Sequence, residues 1–122
     1  MTSSQRMAYL AALNSNSRMR VGCVISTGGR ILASGCNNMS KSNAFVRKYS
    51  SLKKTHAEVR ALMNLRFNVD KRCIPHICRV LRNGKVAMAR PCPICMDIMK
   101  FSGIKKICYT IDSFPYWKEE VI

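Results

Sequence analysis

Thr55-His56-Ala57-Glu58-Val59 and, some three dozen residues later, Pro91-Cys92-Pro93-Ile94-Cys95 are the stretches on which the reading of this chain turns. His56, Cys92 and Cys95 are residue types that ligate zinc, and Glu58 is a carboxylate beside them that the metal does not need. Three protein ligands leave a fourth position open, as in catalytic zinc sites, whereas structural sites are usually closed by four. Residues 92 and 95 are three apart, so on a first helical turn their sulfurs share a side. The positive end of a helix favours the thiolate form that binds metal. His56 and Glu58, two apart, would diverge on a helix flank but converge on a point just beyond a helix start. One Zn2+ per chain is expected between two helix N-termini, with Glu58 taking a proton from the water the metal acidifies.

Residues 55–67 carry apolar side chains at Ala57, Ala61, Leu62 and Leu65, and predict a buried helix, with Thr55 and Glu58 spaced as a capping box. The second half of the motif opens another helix at Pro91 or Cys92, which runs to about Ser102 and stops at Gly103. Upstream, residues 21–27 and 30–36 are β-branched and apolar runs around Gly28-Gly29, which predicts a β-hairpin. Residues 76–81, 86–90 and 105–111 read as further strands. Residues 5–13, with Met7, Leu10, Ala11 and Leu13, read as a short amphipathic helix, and residues 113–122 as a final helical turn around Trp117. Residues 37–54 are polar and basic without a period, a long loop of the sort that is commonly functional. Strands alternating with helices after an opening hairpin imply an α/β fold: a three-layer α/β/α domain on a mixed sheet of about five strands. No linker or repeat divides residues 1–122, so a single domain is expected.

Seven cysteines, an odd and scattered set without an export signal, read as reduced thiols in a cytoplasmic, intracellular protein. Cys23, Cys36 and Cys108 lie in strand-like segments as small buried hydrophobes. No apolar run reaches the length of a membrane span, so no membrane partner is expected. The charge is extreme, with 21 Lys plus Arg against 6 Asp plus Glu. A surface of that sign attracts anionic partners such as nucleotides and single-stranded nucleic acid. The bland alternative is that the excess serves solubility.

Other readings of the motif stay open at this level. A Cys-x-x-Cys pair also serves redox chemistry or half of a structural zinc site, and Glu58 also serves as a helix cap. Cys73, His76 and Cys78 offer a fourth ligand or a second metal site.

His56-Ala57-Glu58 with Pro91-Cys92-Pro93-Ile94-Cys95 resembles the zinc signature of the cytidine and deoxycytidylate deaminase superfamily. The segment 21–25, the Gly28-Gly29-Arg30-Ile31 turn and Gly35-Cys36-Asn37 are similar to the first hairpin of these enzymes. Residues 104–110 resemble the strand after their second zinc helix. The resemblance implies a cytidine deaminase-like fold, zinc on His56, Cys92 and Cys95, and Glu58 as proton shuttle while zinc-activated water attacks C4 of cytosine. It also implies substrate contacts from Asn37, or from Asn38 if the register slips by one, from Ala57 by its backbone, and from Pro91. Homo-oligomers are common among such enzymes. Two positions depart from the pattern. Met39 stands where free-cytidine deaminases carry Glu, and Pro93 stands where they carry Gly.

The implied activity is hydrolytic deamination of cytidine, deoxycytidine, CMP or dCMP to the uracil product and ammonia. One alternative is a polynucleotide deaminase acting on single-stranded DNA or RNA, converting C to U or A to I. Another is a zinc-bearing nucleic-acid-binding module without catalysis. Lys41, Arg47, Lys48, Lys53 and Lys54 precede His56 and are candidate phosphate or nucleic-acid contacts. Arg79, Arg82, Lys85 and Arg90 lead into Cys92 and would rim the same pocket. Phe45, Tyr49, Phe67, Tyr109, Phe114, Tyr116 and Trp117 are candidate stacking partners for bases.

Overall fold

The computed structural model describes residues 1–37, 56–65 and 69–122. Thr2 caps the first helix, α1 (Ser3–Leu13), with a reciprocal capping box to Gln5 that the sequence reading missed. Strands β1 (Arg20–Thr27) and β2 (Arg30–Cys36) form the expected hairpin. Gly28 and Gly29 both take positive φ, as the tightest hairpin turns require. Then come α2 (Ala57–Met63), β3 (Ile74–Val80), β4 (Val86–Ala87), α3 (Pro93–Ser102), β5 (Lys106–Thr110) and β6 (Trp117–Val121). β4 is shorter than expected, and Gly103 ends α3 in the left-handed conformation, as its position predicted.

The sheet runs β2-β1-β3-β5-β6, with β4 paired to the end of β3. It is mixed: β3 and β5 are parallel, and the other pairs are antiparallel. A parallel pair needs a crossover, which α3 supplies. Alternation along the strands sends Cys23, Ile25, Ile77, Ile107 and Tyr109 to a core shared with Ala57, Ala61, Met96 and Met99 of α2 and α3. Val24, Cys78 and Val80 face the other way, onto Ala8 and Ala12 of α1. Helices therefore cover both faces, giving the three layers expected.

Two glycines set how closely those helices lie. A Cβ on Gly22 would fall 2.3 Å from Ala12 N and 2.4 Å from Ala8 O, so α1 rests against β1 backbone to backbone. That contact corrects the reading of α1. Its buried face is Ser4, Ala8 and Ala12, the small residues at i, i+4 and i+8, and Met7, Leu10 and Leu13 stay exposed. On the opposite face, a Cβ on Gly35 would stand 2.6 Å from Ala61 N and from Arg60 Cβ. α2 is seated on β2 by the lack of a side chain there.

The tail is also corrected: residues 117–121 form an edge strand rather than a helical turn. Trp117 packs against the α1-side core, and Lys118, Glu119 and Glu120 give the edge the charges that keep it from pairing onward. Lys106 and Glu119 pair at 2.9 Å across this edge. All seven cysteines are free thiols; Cys23 and Cys108 are buried as expected, but Cys36 is only half-buried. Among the described residues, no helix is long and apolar enough to cross a membrane.

Candidate metal centre and its cavity

α2 and α3 begin alike. Each has a residue with extended backbone at its N-cap, His56 in one and Cys92 in the other, and neither side chain makes a capping hydrogen bond. N-cap positions usually carry Ser, Thr, Asp or Asn, worth about 1 kcal/mol to a helix. Both helices forgo that contribution, which leaves the imidazole and the thiol facing one another. The helix starts one residue later than a Thr55 cap predicts, so Glu58 stands at the second helical position and the expected capping box does not form. Thr55 itself lies outside the described residues.

His56 Nδ1 is 3.2 Å from Cys95 Sγ and 3.7 Å from Cys92 Sγ. The three donor atoms lie within 4.8 Å of one another, the one such cluster of three among the described residues. Tetrahedral zinc with ordinary bond lengths puts a nitrogen and a sulfur ligand about 3.6 Å apart, a spacing the two observed distances bracket. The donor chemistry fits as well. Burial, then the nearby Glu58 and Cys92, push the Cys95 thiol far up, so a dication is what would draw it into the thiolate form. Cys73, His76 and Cys78 do not gather: Cys73 belongs to the core beneath α2 and α3, Cys78 to the core beneath α1.

Glu58 is 5% exposed and lies in the wall of a cavity of about 240 Å³ that it shares with His56, Ala57, Cys92 and Asn37. Burial raises its pKa; its own backbone N–H, the His56 ring and a hydrogen bond with Cys95 pull it partly back. A carboxyl so placed holds a proton more readily than one in water.

The other expected site residues divide. Ala57 is buried and borders the cavity. Asn37 borders it too, but its side chain largely serves the scaffold. Its Oδ1 accepts from Val21 N–H at 3.0 Å and from the Ser15 hydroxyl, while Nδ2 donates to Met19 O. Only the second Nδ2 hydrogen remains to meet a ligand. Pro91 is buried and does not line the cavity; Ala89, Arg90 and Cys92 around it do. Lys41, Arg47, Lys48, Lys53 and Lys54 lie outside the described residues, as do Asn38, Met39, Phe45, Tyr49 and Phe67. Of the second basic set, Arg79 and Arg90 line the cavity, Arg82 lines a neighbouring cleft, and Lys85 lines neither. No described aromatic side chain borders the cavity: Tyr109 is buried, and Phe114 and Tyr116 meet edge to face on the surface.

The chain's patterning left two features unforeseen. Met19 and Met88 give the cavity exposed apolar walls. Arg90 is gripped by both oxygens of Glu120, at 3.0 and 2.8 Å, and the Tyr109 hydroxyl donates to Glu120 at 2.7 Å. These hydrogen bonds hold the Glu120 carboxyl down to about 2, Arg90 contributing most. Thus the edge strand β6 steadies the residue two places before Cys92. Arg79 had a legible signal: it shares the core-facing parity of Pro75 and Ile77 on β3, where a charge is out of place.

The family described as the cytidine and deoxycytidylate deaminase zinc-binding region matches residues 1–111. The chain belongs to that family. Solved structures share its fold. A dCMP deaminase from the cyanophage S-TIM5 in apo form is 24% identical, over 92% of this chain and 82% of that one, with a TM-score of 0.66. A cytidine deaminase from Burkholderia pseudomallei is 17% identical, over 98% and 90%, with a TM-score of 0.67. The S-TIM5 enzyme in complex with dCMP and dUMP is 22% identical over 89% and 79%, with a TM-score of 0.62. Among curated proteins, none matches significantly.

Proposed function

We propose that this deaminase-family chain hydrolytically deaminates the cytosine base of a nucleoside or nucleotide, with one zinc on His56, Cys92 and Cys95 and with Glu58 as the proton shuttle. The observation that carries the reading is the meeting of those three donors at two helix N-termini, with a buried carboxyl beside them in a cavity wall. When bound, zinc would supply an acidified water at neutral pH.

The residues of the chain do the rest. Deamination places a water oxygen on C4 and expels the amine, so protons must pass from that water to ring nitrogen N3 and to the leaving group. Glu58 takes the first proton and delivers it to N3. It then takes the hydroxyl proton and hands it to the amine, which leaves as ammonia as the C4 carbonyl forms. Its burial, which favours the protonated carboxyl, suits the donating half of this cycle. Ala57 N–H, a first-turn donor with no side-chain cap to satisfy it, is available to an acceptor on the base. The spare Nδ2 hydrogen of Asn37 is available to the sugar. Met19, Val21 and Met88 offer the ring an apolar wall to pack against.

The test is ammonia release by zinc-loaded protein from cytidine, deoxycytidine, CMP and dCMP, beside uracil and hypoxanthine formation in oligonucleotides. Turnover of at least one free cytosine compound is expected. Activity on oligonucleotides alone would move the assignment to a polynucleotide deaminase, and no activity on any of them would overturn it.

A further inference from the structure

Arg79 is the one described residue with a buried side-chain nitrogen, Nε, that has no hydrogen-bond partner. It borders the catalytic cavity, opposite Val21 in the β1–β3 register. Its backbone N–H is already taken by the Thr110 hydroxyl at 3.1 Å, so the side-chain Nε is the buried donor left to be matched. The other described arginine in the wall, Arg90, is neutralised by both oxygens of Glu120. The one carboxylate in the wall is Glu58, and none of the ion pairs among the described residues involves Arg79.

A buried charged donor without a partner is costly, and it persists where a ligand supplies the missing acceptor. A neutral base carbonyl or sugar hydroxyl would accept a hydrogen bond but leave the charge uncompensated. A phosphate does both, and its oxygens match the guanidinium fork. The surroundings agree in sign. Arg18 and Arg20 flank the cavity residue Met19 in sequence. With Arg82 they line a separate cleft of about 370 Å³ at the same end of β1 and β3. Cationic ground therefore continues from the cavity to its neighbour.

We propose that Arg79 is the phosphate anchor of the catalytic cavity, so that the substrate is a cytidine nucleotide rather than a free nucleoside. This rests on the deaminase reading above. The phosphate has two chemical sources, a free monophosphate or the backbone of a strand.

Equilibrium binding of dUMP and of deoxyuridine to zinc-loaded protein tests the anchor without requiring turnover. Wild type should bind dUMP at least tenfold more tightly. Arg79→Met should bring the ratio of the two affinities close to one, and Arg79→Lys should keep part of the preference. Equal affinities in wild type, or a ratio unchanged in Arg79→Met, would overturn the proposal. If Arg79→Met does not fold, Arg79→Lys and competition on wild type decide. Inorganic phosphate should then weaken dUMP binding more than deoxyuridine binding, and equal effects refute the anchor. A dUMP preference that depends on Arg79 in a protein that deaminates nothing would sink the deaminase reading alone. Turnover with no dependence of the ratio on Arg79 would sink the anchor alone. Arg82→Ala separates the sources: it should weaken a cytosine-bearing oligonucleotide but not dUMP if the phosphate comes from a strand, and neither if it comes from a monophosphate.

Discussion

Gly35 lies outside the cavity lining, yet replacing it with alanine should damage the metal centre. The new Cβ would stand 2.6 Å from Ala61 N, against about 3.4 Å for ordinary contact, so α2 must withdraw from β2 by roughly 0.8 Å. The obstacle is helix backbone, which cannot turn aside as a flexible side chain would. α2 carries His56 at its N-cap, while Cys92 and Cys95 stay with α3. Metal sites tolerate ligand displacements of only about 0.2 Å, so the shift should weaken zinc binding by about tenfold or more. Overpacking of this size costs about 1–3 kcal/mol, or about 4–12 °C in Tm for a chain of this length. Misplacing Glu58 with the helix should lower turnover by about a hundredfold. The assay combines thermal unfolding, zinc titration against a chromophoric chelator and ammonia release, with Ser34→Ala on the exposed neighbouring position as control. Wild-type zinc affinity and turnover in Gly35→Ala would show that the β2–α2 contact does not set the position of His56.

Glu58→Gln should keep its zinc and fold at least as stably, since it removes a buried carboxyl, while kcat falls by about 10² to 10⁴. Loss of zinc in step with activity would make Glu58 structural instead. Stripping the metal with a chelator should lower Tm, and returning it at about a thousand times its Kd should restore about 4 kcal/mol; a Tm indifferent to free zinc contradicts the centre. Glu120 titrates at about 2 when folded, against an ordinary value of 4.5, so it binds fewer protons folded than unfolded. Its stabilising contribution is full above pH 4.5 and disappears as pH falls toward 2. Glu120→Gln should flatten the acid side of a Tm profile across that window, and an unchanged slope would mean the Arg90–Glu120–Tyr109 contact contributes nothing in solution.

Much of this was legible in the chain. The cluster of His56, Cys92 and Cys95, the hairpin at Gly28-Gly29 and the stop of α3 at Gly103 follow from residue types whose demands are local. What depended on distant neighbours was harder to see. α1 shows Met7, Leu10 and Leu13 to solvent because Gly22, on another element, draws the small residues inward. The strand at 117–121 hides behind three charged residues that only an edge position tolerates. Asn37 borders the cavity as expected of a substrate contact, yet its Oδ1 also accepts from Val21 N–H and the Ser15 hydroxyl, a duty that no spacing rule reveals. The basic loop before His56 lies outside the described residues, whereas Arg79, four residues into the run from Pro75, carried its own signal as a charge on the core-facing side of a strand.

The candidate metal centre draws its donors from both sides of β3 in sequence, and β3 is the strand that slots between β1 and β5. Cys92 and Cys95 stand on one helix, whereas His56 stands at the start of another, so all three donors meet only when α2 and α3 are both docked on the sheet. Were zinc held there as proposed, its tight retention would report that α2 and α3 have been brought together. Sorting a preparation by zinc that survives a mild chelator would sort it by correct topology, a criterion of quality that needs no substrate.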